Sequence, residues 1–78
     1  MKIEILGPGC PRCRATEEVV RRALAELNLE AEIKHLTDPR QFAARQVLLT
    51  PGLVIDGTVR SSGRVPNLSE VKGWLTKG

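Results

Sequence analysis

The order of apolar and polar residues predicts a strand and a long helix in the first third of the chain. A β-branched run at 2–6 is stopped by the Gly-Pro-Gly sequence at 7–9, which indicates a buried strand followed by a loop. From Pro11 onward, apolar residues recur at helical spacing: Ala15, Val19, Ala23 and Leu27 form one stripe, with Val20 and Leu24 beside it. On the opposite side, Glu and Arg stand four residues apart, as Glu17 with Arg21 and Glu18 with Arg22.

Turn and capping residues divide the remaining two thirds into five further elements. Charged and apolar residues alternate at 30–36, as in an edge strand, and Asp38 followed by Pro39 marks the start of a second helix. Two apolar-rich arms at 53–61 flank Asp56-Gly57, which favours a type I′ hairpin turn. Asn67, with Glu70 three residues later, predicts the capped start of a third helix.

The resulting order, β-α-β-α-β-β-α, predicts an α/β fold with one mixed four-stranded sheet covered by helices. A right-handed crossover makes the first two strands parallel, and the tight turn makes the last two antiparallel. With 78 residues, the chain is long enough for one domain, which we expect to span residues 1–78.

Composition excludes several classes of function. The net charge of +3 could suggest nucleic acid, but the aromatic side chains that stack on bases are limited to Phe42 and Trp74, so nucleic-acid binding is not expected. The N-terminus lacks the apolar run of a signal peptide, and no segment approaches the roughly 20 apolar residues of a membrane span. We therefore expect a cytoplasmic protein without membrane contact.

The two cysteines, Cys10 and Cys13, stand at the start of the first helix in the sequence Cys-Pro-Arg-Cys. A disulfide across two intervening residues would constrain the unfolded chain very little, so a structural role is not expected. Pro11 suits the first helical position and leaves Cys10 at the N-cap. Positions i and i+3 lie on one face of a helix, so the two sulfurs can form a disulfide with little backbone movement.

Electrostatics favour Cys10 as the attacking thiol. The unpaired N–H groups at the helix start stabilise a thiolate there, and Arg12 and Arg14 add positive charge. Cys13, one turn further on, would be the resolving thiol.

Two other readings of the pair stay open at this point. Two thiolates also suit Cu(I), and small soft-metal chaperones present a Cys-x-x-Cys sequence on a loop that enters a helix, although their order is β-α-β-β-α-β. A redox-sensing interaction domain could form and break the same disulfide without catalytic turnover.

Several motifs together resemble the small thioredoxin-like, glutaredoxin-like redox-active disulfide proteins of bacteria and archaea. The shared features are Cys-Pro-Arg-Cys after the first strand, Thr50-Pro51 before the third strand, Val-Ile-Asp-Gly at 54–57 and Ser-Ser-Gly-Arg-Val-Pro at 61–66. The resemblance covers the whole chain. It implies a minimal thioredoxin fold and a thiol–disulfide oxidoreductase that needs no cofactor and no metal.

The resemblance also implies roles for individual residues. Cys10 would be the nucleophile and Cys13 the resolving thiol, with Pro11 and Arg12 supporting them. Pro51 would lie in a cis peptide facing the disulfide, and Thr50, Pro51 and Gly63 would bind the substrate polypeptide. The implied partners are a client protein that contains a disulfide and an upstream reductase.

Departures from the family pattern bear on the reductant and on proton transfer. The Gly-Gly and acidic residues of the glutaredoxin glutathione site are replaced by Ser62-Gly63-Arg64, which argues against glutathione as the reductant. Some thioredoxins use a buried acid six residues before the first cysteine as a proton acceptor, and Glu4 occupies that offset. A charged residue on a first strand is more often exposed than buried. His35 is expected to be an ordinary strand histidine.

Overall fold

Four strands and three helices form from the residues that the computed structural model describes, 1–9 and 11–76. The strands are β1 (Lys2–Leu6), β2 (Glu32–Leu36), β3 (Gly52–Ile55) and β4 (Thr58–Ser62). The helices are α1 (Pro11–Leu27), α2 (Pro39–Ala44) and α3 (Leu68–Thr76). Their order is the one that the sequence predicts. No helix within the described part is long and apolar enough to cross a membrane.

The strands form one mixed sheet in the order β2-β1-β3-β4, which confirms the predicted architecture. Strand β1 is parallel to β2 and antiparallel to β3, and β3 is antiparallel to β4. Strand β2 lies at one edge, as its alternating charges predict, although it begins at Glu32 rather than at residue 30. Charged side chains on an edge strand oppose the addition of another strand.

The predicted hairpin joins β3 to β4. Asp56 and Gly57 both have positive φ, 49° and 83°, as a type I′ turn requires. The register then passes from the Val54–Val59 pair to the Leu53–Ser61 pair, so Arg60 is an extra residue in β4. Such a bulge bends the strand and increases its twist.

The sheet is covered on both faces. On one face, Ile3 and Ile5 of β1 pack with residues of α1 and α3, including the fully buried Val20 and Val71. Trp74 is partly buried against this core. On the other face, Leu6 packs with Val54 and Val47, and with Phe42 of α2. Because side chains alternate along a strand, Glu4 lies on this second face with Leu6.

The buried stripe of α1 differs from the predicted one. Thr16 is almost completely buried, whereas Ala15 is only half-buried, so the centre of the stripe lies one residue further along. The Thr16 hydroxyl donates to the Arg12 carbonyl at 2.9 Å, which satisfies the polar group within the helix. On the exposed side the Glu17–Arg21 pair is confirmed, but Arg22 bonds to Glu26 rather than to Glu18.

The start of α3 combines the predicted cap with an ion pair. The Glu70 N–H donates to Asn67 Oδ1 at 2.8 Å, and the Asn67 N–H donates to Glu70 Oε1 at 3.2 Å. The Arg64 guanidinium donates to both Glu70 oxygens, at 2.8 and 2.7 Å. These bonds, from Arg64 first and then from the Asn67 main chain, lower the pKa of Glu70 from 4.5 to about 2.

Glu70→Gln should therefore make the free energy of unfolding less dependent on pH in acid. A lowered carboxyl pKa in the folded state stabilises the protein above the ordinary value of 4.5, and this stabilisation is lost as the pH falls towards about 2. Urea titrations at several pH values between 7 and 2 should show a shallower decline in the variant than in the wild type. Glu18→Gln, another exposed helical carboxylate, is the control. Parallel curves for wild type and Glu70→Gln would contradict the assignment.

Candidate active site

Three chain segments meet where β1 ends. They are Gly7 after β1, Cys13 in the first turn of α1, and Thr50-Pro51 before β3. The Cys13 side chain is completely buried. A Cβ placed on Gly7 would overlap the Cys13 Sγ and would lie 3.8 Å from the Thr50 Cβ. The sulfur therefore occupies the space that a side chain at position 7 would fill.

Pro11 and Arg12, which precede Cys13 in the Cys-Pro-Arg-Cys sequence, lie at the surface. Cys10, with its predicted N-cap and nucleophile roles, lies outside the described residues. Pro11 is the first residue of α1, as predicted, and is exposed. Arg12 is also exposed, and its Nη2 lies 3.5 Å from the Gly63 carbonyl oxygen. With Arg14, it places positive charge at the helix start, where the helix dipole is also positive.

Thr50 and Pro51 form the side of the site opposite the helix. The peptide bond between them is cis, Pro51 is buried and Thr50 is half-buried. The Pro51 carbonyl accepts a hydrogen bond from the Gly63 N–H at 3.0 Å. Among the described residues, no hydrogen bond engages the main-chain N–H or carbonyl of Thr50. The structure thus brings Thr50 and Pro51 together with Gly63, three of the predicted site residues.

Gly63 meets two steric requirements at once. Its φ of +82° favours glycine, and a Cβ there would approach the Leu49 Cβ to 3.0 Å. Next to it, the Ser62 hydroxyl donates to the Leu49 carbonyl at 2.8 Å. The end of β4 is therefore fixed against the segment that leads to Pro51. Sequence analysis did not identify Leu49, and it noted Ser62 only as part of a family motif, because these contacts join the end of β4 to an irregular segment distant in sequence.

Two large apolar side chains are exposed next to Thr50. Leu48 is 90% exposed and Leu49 is 65% exposed. Val47, just before them, is buried, and its Cγ1 would lie only 2.6 Å from a Cβ on Gly52. Along the segment 47–51, Val47 is therefore buried, the two leucines are exposed, and Pro51 is buried again.

Glu4 is buried, with only 6% of its surface exposed, and does not follow the expectation of an exposed charge. Arg45 donates to both of its carboxylate oxygens, from Nε to Oε1 at 2.8 Å and from Nη2 to Oε2 at 2.7 Å. Hydrogen bonding to Arg45 lowers the pKa of Glu4, against the opposing effect of burial, and the charges of Arg45, Lys2 and Lys34 lower it further. Glu4 is therefore held as a carboxylate.

His35 lies on the edge strand β2, and its Nδ1 is 3.8 Å from Glu17 Oε1 on α1. This contact joins a strand to the neighbouring helix surface. It matches the expectation of an ordinary strand histidine.

Comparison with known proteins gives a consistent family. The sequence family described as "Thioredoxin domain" matches residues 1–76. A protein named thioredoxin from Methanocaldococcus jannaschii is 40% identical over 73 residues, which cover 94% of this chain and 84% of the relative. A second thioredoxin, from Methanothermobacter thermautotrophicus, is 36% identical over 76 residues, which cover 97% of this chain and 99% of the relative.

Gly7→Ala should lower the free energy of unfolding, because its methyl group would overlap the Cys13 Sγ. Forced overpacking of this kind costs about 1–3 kcal/mol. Gly73→Ala is the matched control, because Gly73 lies within α3 and a Cβ there meets no atom within 4 Å. That control should gain about 0.5–1 kcal/mol from helix propensity. Urea unfolding measures both, and a Gly7→Ala variant as stable as the wild type would contradict the packing described here.

Proposed function

Because the chain belongs to the thioredoxin domain family and is a thiol–disulfide oxidoreductase, we propose that Cys10 and Cys13 are its redox pair. In this proposal the pair reduces or exchanges disulfides in client proteins. The observation that carries the assignment of roles is the complete burial of Cys13 against Gly7. A client disulfide cannot reach a buried sulfur, so the first attack falls to Cys10.

The proposed reaction has two exchange steps. The Cys10 thiolate attacks one sulfur of the client disulfide, forms a mixed disulfide and releases the other client sulfur as a thiolate. Cys13, after losing its proton, then attacks the Cys10 sulfur and releases the second client sulfur. The client gains two electrons and takes up two protons, while Cys10 and Cys13 become a disulfide. An upstream reductase returns two electrons to the pair.

The start of α1 supports a thiolate on the first cysteine. A helix of 17 residues places the positive end of its dipole and its unpaired N–H groups at this point. Arg12 and Arg14 are exposed on the first turn and add positive charge. A cysteine in such surroundings has more thiolate at neutral pH and is more reactive.

The main chain of Thr50 supports a binding mode for the client. Its N–H and carbonyl are not engaged within the described residues, whereas the next carbonyl, of Pro51, is bonded to Gly63. An extended client segment can therefore pair with Thr50 much as a strand pairs with a sheet edge. Leu48 and Leu49, beside Thr50, offer apolar contact to the same segment.

The surroundings of Gly63 argue against glutathione as the electron donor. Arg64, which stands where glutaredoxins have acidic residues, is bonded through both terminal nitrogens to Glu70. We therefore propose a protein reductase as the donor. We also propose the reducing cytoplasm as the compartment, because paired cysteines there are more often catalytic than structural.

A soft-metal chaperone is the less favoured function. The observed order β-α-β-α-β-β-α differs from the β-α-β-β-α-β order of those chaperones. Cys13 is also fully buried, whereas a metal carrier must present both thiolates to an incoming ion. A redox sensor would use the same disulfide and differs only in lacking turnover.

Substitution of each cysteine should separate the two roles. We expect Cys10→Ser to abolish catalysis of the dithiothreitol-dependent reduction of a disulfide-bonded test protein. Reduced Cys13→Ser, freed of dithiothreitol, should stop at a stable mixed disulfide with that protein. In the wild type, iodoacetamide near neutral pH should alkylate Cys10 before Cys13, because Cys13 is buried. Peptide mass spectrometry gives the order of alkylation. Faster alkylation of Cys13, or turnover by Cys10→Ser, would reverse the assignment. If the wild-type disulfide forms and opens but the protein does not catalyse reduction of the test protein, the result would favour the redox sensor.

Metal analysis tests the chaperone reading directly. Protein purified under reducing conditions should contain far less than one copper or zinc per chain. Elemental analysis, with Cys10→Ser as the control, measures this ratio. One tightly held metal ion per wild-type chain, lost in the variant, would favour the chaperone.

A further inference from the structure

The partly buried ion pair between Glu4 and Arg45 links the centre of the sheet to the segment that carries the proposed client-binding residues. Glu4 lies in the central strand β1, and Arg45 is the C-cap of α2. Both carboxylate oxygens are bonded to the guanidinium, at 2.8 and 2.7 Å. Such a two-point pair fixes the orientation of both side chains.

Few other contacts hold helix α2 against the sheet. It is six residues long and has no buried residue of its own, and Phe42 is only partly buried against the sheet. Its first turn is fixed by an exposed pair, Asp38 with Arg40, which does not reach the sheet. The contact of Arg45 with Glu4 is therefore the polar link from the end of α2 to β1.

The chain runs directly from this link to the site. Gln46 has a φ of +60°, and the Val47 N–H donates to the Phe42 carbonyl at 2.9 Å, which closes the end of the helix. Val47 is then buried beside Gly52, and Thr50 and Pro51 follow. Because Thr50 follows Arg45 closely in the chain, a shift of Arg45 would also displace Thr50.

We propose that Glu4 is a positioning residue for client binding, which acts through Arg45 to hold the segment 46–51 in place, and not the proton acceptor of the exchange reaction. The inference rests on the proposed function of that segment. A proton acceptor works best with a pKa near the operating pH. Glu4 has both oxygens occupied by Arg45 and is stabilised in its charged form.

Kinetics with two kinds of substrate distinguish the two roles. In Glu4→Gln the amide N–H group would face a guanidinium N–H, and in Arg45→Gln a buried carboxylate would lose its counter-charge. Either change should raise the KM for a disulfide-bonded protein by about three- to tenfold, because binding is impaired while the thiols are unchanged. Turnover of 2-hydroxyethyl disulfide, which is too small to use the segment, should change by less than about twofold, with the same pH profile.

Two further variants complete the design. Glu4→Leu combined with Arg45→Leu replaces the pair by apolar contact, which proteins often tolerate, and should restore most of the wild-type KM although the carboxylate is gone. Arg40→Gln removes the exposed ion pair at the other end of α2 and should leave the KM unchanged.

Opposite results would overturn the inference. If Glu4→Gln slows both substrates equally and shifts the pH profile while Arg45→Gln does not, Glu4 is the proton acceptor. An inactive double leucine variant that is folded by circular dichroism leads to the same conclusion. If the wild type reduces neither disulfide, the proposed function fails, but hydrogen exchange still tests the link. The Val47 amide should exchange faster in Glu4→Gln, and equal protection would overturn the positioning role.

Discussion

The packing of the Cys13 sulfur against the main chain of Gly7 is the constraint on which the site depends. It sets the distance between the first turn of α1 and the end of β1, and it leaves no room for a side chain at position 7. It also removes the Cys13 side chain from solvent, because the sulfur lies within the core. In the proposed mechanism, the assignment of Cys13 as the resolving thiol rests on this burial.

Most of the fold could be predicted from the sequence because local rules decide it. The Asp56-Gly57 turn, the Asn67 cap and the charged edge strand each depend on residues within a few positions, and each is present in the structure. The position of the buried stripe of α1 was not predictable in this way. Thr16 is buried because its hydroxyl bonds to a carbonyl of its own helix, and hydropathy alone classes threonine as polar.

Motifs in the sequence identified the residues of the candidate site, but the contacts that hold these residues together were not predictable. Cys13, Thr50, Pro51 and Gly63 were all identified from motifs, and Cys10 lies outside the described residues. The contacts that hold them together, such as Ser62 to Leu49, join the end of a strand to an irregular segment and leave no periodic signal in the sequence. Glu4 shows the same limit, because its burial depends on a partner 41 residues away.

The small size of the protein explains why polar contacts help to position the site. A chain of 78 residues can build only a modest core. In the part that the structure describes, one apolar cluster lies on each face of the sheet, and the smaller cluster contacts both α2 and the segment before Pro51. Apolar contact there is limited to a few side chains such as Val47 and Phe42. Hydrogen bonds and the partly buried Glu4–Arg45 ion pair fix the orientation of the groups that they join, which apolar packing alone does not do. Contacts of this kind can hold the segment before Pro51 in place and still leave the main chain of Thr50 without a hydrogen-bond partner among the described residues.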